Sequence, residues 1–157
     1  MERVNKIFNN SKYKYYLSKN NYCERERIFC KHNLEHFLDV ARIAYIMSLE
    51  ENLNIPKEII YATSLLHDIG RWVEYEEGES HEKASYRLSK EILDECGFNY
   101  KEKEFILGGI SNHRNKNSSG FNKIMYLADK KSRACFLCEA EKLCKWSKEK
   151  KNLEIMI

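Results

Sequence analysis

Pro56, the only proline in the chain, opens a stretch in which Ile59, Ile60, Ala62, Thr63, Leu66 and Ile69 leave little room for a polar face before Gly70. Proline suits a first helical turn, where its missing N–H costs nothing, and glycine is the ordinary residue just past a helix end. The stretch predicts one central helix from Pro56 to about Ile69, apolar around most of its circumference and therefore buried. Its last turn carries His67 and Asp68. A carboxylate buried there costs several kcal/mol unless something neutralises it. A bound cation would do so, and the adjacent imidazole would offer that cation a neutral nitrogen beside the anionic oxygen.

A His-Asp string alone is equally a buried histidine paired with its neighbour, so the metal reading needs further donors. They are present: His36 upstream, His81 and His113 downstream, and Asp129 near the end of the last apolar segment. The surrounding sequence is helical in period. With one proline and six glycines, there is little punctuation, and Leu, Ile, Glu and Lys recur at three- and four-residue spacing. Helices are expected as one or two short pieces over Ser11 to Cys30, then at Lys31 to Glu51, His81 to Cys96 behind an N-cap at Ser80, Lys101 to His113, and Phe121 to Arg133. His32 reads as a residue of the first turn of the helix that carries His36. His81 is expected to be exposed enough to reach into a cleft. The acidic stretch Trp72 to Ser80 reads as a solvated loop.

The chain of 157 residues suits one all-α domain, a helical bundle, with an N-terminal helical extension at 1–30, the main body at 31–134 and a cysteine-containing tail at 135–157. No run approaches the ~18 apolar residues of a membrane span, and Met1 to Asn10 lacks the apolar core of a signal peptide, so a cytoplasmic protein without membrane contact is expected. A formal net charge of +3 is too mild to imply nucleic-acid binding, though it suits a small polyanionic substrate. Six cysteines in such a chain are expected to be reduced thiols or metal ligands.

The order His36, His67-Asp68, Asp129 resembles the HD superfamily of metal-dependent phosphohydrolases. The additional His81 and His113 resemble its two-metal subgroup, and the run from His113 to Tyr-Leu-Ala-Asp129 is most similar to hydrolases of dinucleoside tetraphosphates. No Gly-Tyr-Pro motif accompanies them, unlike the cyclic dinucleotide phosphodiesterases of that subgroup. The resemblance implies two divalent transition-metal ions, Fe or Mn before Zn or Co, with Asp68 bridging and serving as the central catalytic carboxylate. It implies that His36, His67 and Asp129 complete one shell and His81 and His113 the other, and that water attacks a nucleotide-like phosphoester or phosphoanhydride. Arg71, Arg114, Lys130 and Arg133 each lie beside a proposed ligand and are candidates for holding the substrate's phosphates. Finally, Cys135, Cys138 and Cys144 stand as C-x2-C-x5-C. This spacing resembles that of iron–sulfur clusters in certain DNA-repair enzymes, with Cys30 preferred over Cys23 as a fourth ligand and zinc as the other candidate. Competing readings are an HD-type diiron oxygenase and a non-enzymatic redox or ligand sensor built on a cysteine-bound cluster.

Overall fold

A computed structural model describes residues 1–155. It is all-α, with no strand among the described residues. The helices are α1 (Glu2–Asn9), α2 (Ser11–Cys23), α3 (Leu34–Glu50), α4 (Lys57–Leu66), α5 (Arg71–Glu77), α6 (His81–Glu95), α7 (Tyr100–Asn112) and α8 (Gly120–Lys131). Three single 3-10 turns follow, at Cys135–Leu137, Glu141–Leu143 and Lys148–Lys150. No helix is long and apolar enough to cross a membrane.

Helix α4 is the axis of the bundle, packed against α3, α7 and α1. Its Ile59, Ala62, Leu65 and Leu66 join the larger core, which also takes Ile7 and Tyr13 from α1 and α2. Its Ile60 faces the smaller core with Val40, Ala44, Ile124 and Ala128. Burial on both sides is what the nearly continuous apolar run of α4 demands. Local signals set several ends. The Asn99 side chain accepts from the backbone N–H of Glu102, whose carboxylate accepts from the backbone N–H of Asn99, so a capping box opens α7. Asn33 caps α3 by accepting from the backbone N–H of His36, and Gly97, at φ +80°, closes α6 in the left-handed conformation that glycine adopts without strain.

Three expectations need correction. Helix α4 ends at Leu66 rather than near Ile69, and Pro56 is its N-cap rather than a first-turn residue. His67 and Asp68 therefore lie on a tight turn between α4 and α5. Gly70 permits this turn to press against α6: a Cβ there would sit 2.5 Å from the backbone nitrogen of Ser85, while the Gly70 N–H donates to Ser85 Oγ at 2.9 Å. Second, the acidic stretch after Gly70 is not a loop but α5. Val73 is buried and Trp72 stacks on Tyr16 of α2 with ring centroids 6.1 Å apart, so its glutamates decorate the outer face of a packed helix. Third, the first long helix begins at Leu34, which leaves His32 in the connection before it.

Candidate metal centre

All five histidines of the chain are buried, and they meet around Asp68. Asp68 Oδ2 faces His67 Nε2 at 3.2 Å, His32 Nε2 at 3.7 Å and His36 Nε2 at 3.8 Å. Oδ1 faces the other way, 3.2 Å from His81 Nε2 and 3.4 Å from His113 Nε2. Asp129 Oδ1 closes the first side, 3.4 Å from His36 Nε2. Two donor groups follow, His36, His67, Asp68 and Asp129 on one side and Asp68, His81 and His113 on the other, with the ligand atoms of each group within 4.8 Å of one another. The six side chains expected as metal ligands are thus brought together, with one oxygen of Asp68 turned to each group.

The helices fix the rings by occupying Nδ1. His67 Nδ1 donates to the Ser64 carbonyl at 2.7 Å, and His113 Nδ1 to the Ile110 carbonyl at 2.6 Å, each in the last turn of the helix that precedes it. His36 Nδ1 lies 3.1 Å from Ser132 Oγ, whose hydroxyl proton goes to the Asp129 carbonyl. Ser132 therefore accepts, and His36 Nε2 is left as an acceptor. His81 Nδ1 lies 2.5 Å from both Glu74 Oε2 and a guanidinium nitrogen of Arg71; donation to Glu74 leaves Nε2 bare, whereas acceptance from Arg71 puts the proton on Nε2. Partners of this kind orient metal-binding imidazoles and settle which nitrogen is free.

These donors fit a cation. His81 Nε2 and His113 Nε2 are 3.2 Å apart, and when His81 donates through Nδ1 to Glu74 two lone pairs face each other with nothing positive between them. His67 Nε2 and Asp68 Oδ1 are buried without a hydrogen-bond partner. Such orphaned atoms are costly in a dry interior unless an ion satisfies them. Burial opposes ionisation of Asp68, yet His67, His32 and the other rings hold it well below the usual carboxylate range. Asp129 is held there, also against burial, chiefly by Arg133. Burial would lower His67, but Asp68 and Asp129 outweigh it and hold the imidazolium up to about 10.

His32 is a site residue that its expected place in a first helical turn concealed. Its backbone N–H and its Nδ1 each lie 2.6 Å from the carboxylate of Glu24, which also accepts from Tyr75 Oη at 2.8 Å. Burial raises Glu24, but the His32 contacts more than reverse this and bring it down to about 2. Burial also pushes His32 down to about 4. The shift of Glu24 counts attraction to a charged His32, whereas the shift of His32 describes a neutral ring. The pair is best written as an ionised Glu24 accepting from a neutral His32, because Arg27 and Arg71 lie 3.9 and 4.0 Å from Glu24 and keep it anionic. His32 Nε2 is then a bare nitrogen aimed at Asp68. Nothing in the sequence spacing marks Glu24.

The centre forms the floor of a cavity of about 350 Å³, lined also by Arg71, Arg114, Lys130 and Arg133. These four differ in place. Arg114 is exposed and lies 3.5 Å from Glu82, Lys130 reaches Asp129 Oδ2 at 2.5 Å, and Arg71 pairs with Glu74 at 2.7 Å. Arg133 is buried and donates to Asp129 Oδ1 at 2.9 Å and to His36 Nε2 at 3.2 Å. It neutralises the donor group rather than reaching into the cavity as a surface arm. His81, expected to be exposed, is buried at the start of α6 because α5 packs over it. The cysteines do not form a closed single-ion site: among the described residues no three sulfurs come within 4.8 Å of one another. A zinc tetrahedron with bonds of about 2.3 Å would need them about 3.8 Å apart, so the zinc expectation is withdrawn.

A helical bundle holding buried, paired His/Asp donor groups at the base of a cation-lined cavity is the build of a metal-dependent hydrolase. The HD domain family matches residues 33–145, and the chain belongs to that family. It is 52% identical over 155 residues to an uncharacterized protein of Clostridium beijerinckii, covering 99% of each chain. A local likeness, 32% identity over 83 residues, links 53% of the chain to 14% of a ribonuclease Y of Petrotoga mobilis. No solved structure matches.

Proposed function

We propose that this chain hydrolyses a phosphoester or phosphoanhydride of a nucleotide-like substrate, with two divalent ions held by His36, His67, Asp68 and Asp129 on one side and by Asp68, His81 and His113 on the other. The observation that carries the reading is the orientation of Asp68, one carboxylate oxygen toward each donor group. Bound there, the ions supply Lewis acidity and lower the pKa of water. Fe and Mn suit the imidazole and carboxylate donors.

The remaining work falls to the chain. Glu24 holds His32 with its bare nitrogen toward the reacting centre, and Ser64, Ile110 and Ser132 hold three further rings, so the donors need no rearrangement at the moment of reaction. Arg71 and Lys130 place positive charge at the edge of the centre, where the non-bridging oxygens of a phosphoryl group would lie. Trp146 lines the same cavity, with Lys130 Nζ 5.9 Å from its ring centroid, which offers a nucleobase an aromatic face beside a phosphate-binding cation. A volume near 350 Å³ matches the lower part of the range for small-molecule sites, about 300–1,000 Å³. It admits the reacting phosphates and one nucleoside, and the rest of a dinucleoside polyphosphate would extend outside.

The test is turnover by protein loaded with Mn²⁺, or with Fe²⁺ under argon, on mononucleotides, dinucleoside polyphosphates, cyclic dinucleotides and short RNA. Metal-dependent release of phosphate or nucleotide, abolished in Asp68→Asn while the helical circular dichroism is retained, is expected. Fully loaded protein that turns over none of these would defeat the proposal, and oxygen consumption by the reduced iron form would point to an oxygenase instead. The local likeness to a ribonuclease Y is the reason that RNA is included.

A further inference from the structure

The three 3-10 turns from Cys135 to Lys150 bury the wrong side chains for a segment held by hydrophobic contact. Phe136, Leu137 and Leu143 are exposed, Leu137 by 75%, while Cys135 and Ala140 are turned inward. The segment is nevertheless tied down. Asn152 Nδ2 donates to the carbonyls of Lys130 at 2.8 Å and Arg133 at 2.9 Å, and its own carbonyl accepts from the Phe136 N–H at 3.0 Å. These bonds through Asn152 hold Cys135, Cys138 and Cys144 on the wall of the same cavity as Cys30, which lies more than a hundred positions earlier in the chain.

Cys23 and Cys96 are placed differently. Cys23 Sγ sits 3.7 Å from Glu76 on the outside of α2, and Cys96 is in the hydrophobic core. The four cavity cysteines are free thiols, and Cys135 feels all three of its companions. Burial pushes its thiol up, and charge on Cys30, Cys144 and Cys138 pushes in the same direction. Their sulfurs lie too far apart to close around one ion, and a polynuclear cluster is wider than one ion. Arg27, Arg133, Lys145 and Lys151 also line the cavity, with Arg133 paired to Asp129 at 2.9 Å and Lys151 to Glu141 at 2.7 Å, so the four thiols lie among cations that carboxylates already partly neutralise. Each thiol gives up its proton on ligation, and four thiolates on a dicationic four-iron core leave a net charge of −2 facing those side chains.

We infer that Cys30, Cys135, Cys138 and Cys144 bind a four-iron, four-sulfide cluster that fastens segment 134–152 to the 24–33 connection and forms one wall of the cavity. The cluster site is separate from the His/Asp donors, and the inference does not depend on which reaction those donors perform.

Protein isolated under argon, and a second sample reconstituted with ferrous iron and sulfide, are assayed for iron, acid-labile sulfide and visible absorption. Sulfide in equal measure to cysteine-bound iron, with broad absorption bleached by dithionite, is expected in at least one sample. It should be retained in Cys23→Ser and absent in Cys138→Ser/Cys144→Ser. The double variant should still show a Mn²⁺-induced rise in melting temperature, which demonstrates that it folds and that the His/Asp site survives. Sulfide missing from both wild-type samples, stoichiometric zinc in its place, or equal sulfide in the double variant would each overturn the assignment.

Discussion

At the scale of single residues, Glu24 and His67 carry charges that the interior would not tolerate without their partners. Against burial, Glu24 is held below its ordinary value near 4.5 by the hydrogen bonds of His32 and Tyr75, so its contribution to stability is complete above about pH 4.5 and is lost as the pH falls below it. In metal-free protein, Glu24→Gln should therefore be markedly less stable than wild type at about pH 6, and the gap should close at about pH 3. Urea midpoints measure this, and an equal gap at both values would show that the Glu24 charge is not linked to folding. His67 titrates the other way. Held up to about 10 over the opposition of burial, it is protonated at neutral pH in the metal-free chain and must lose that proton to become a ligand. Metal binding should thus release a proton, with apparent affinity rising with pH up to that value. Calorimetry in two buffers of different ionisation heat reads the release directly, and heats independent of buffer would exclude it.

The turn between α4 and α5 is where elements determine the site, and α2 holds it from outside. Asn20, fully buried, donates to the Asp68 carbonyl at 2.9 Å and accepts from the Trp72 N–H at 2.8 Å. Asn20→Ala would leave the Trp72 N–H unpaired and take one of two donors from the Asp68 carbonyl, which keeps the Arg71 N–H at 3.0 Å, so a loss of about 1–3 kcal/mol is expected by chemical denaturation. Weaker Mn²⁺ binding should accompany it, and unchanged affinity would show that the turn holds its shape without the clamp. Such a role is not legible in sequence, because one asparagine in a Tyr- and Lys-rich stretch has no period to betray it. Helix α4 was legible for the opposite reason: its apolar run can only be buried. The convergence of the six side chains was legible too, in the order His36, His67-Asp68, Asp129 with His81 and His113 added. The segment 71–77 misled because Glu74, Glu76 and Glu77 dominate its composition, while only Val73 and Trp72 reveal the packed face. His32 was assigned to a helix because Asn33, the residue that caps α3, follows it rather than precedes it.

For the whole molecule, the centre draws on nearly every helix, so occupancy and global stability should be linked. A divalent ion at a hundred times its dissociation constant adds about 2.7 kcal/mol. For a chain of this size that is a rise of roughly 5–10 °C in melting temperature. Scanning calorimetry with and without Mn²⁺ should show it in wild type and not in Asp68→Asn, and an equal rise in both would place the ion elsewhere. Arg3 extends this connectedness to the first helix by pairing with Glu58 of α4 at 2.8 Å and Glu102 of α7 at 2.7 Å. The N-terminal helices thus belong to the same body as the family's matched region. Anyone trimming the chain to residues 33–145 to obtain a minimal domain would discard Asn20, Glu24, Cys30 and His32 together, and a purified fragment that fails to take up metal would report on the scissors rather than on the enzyme.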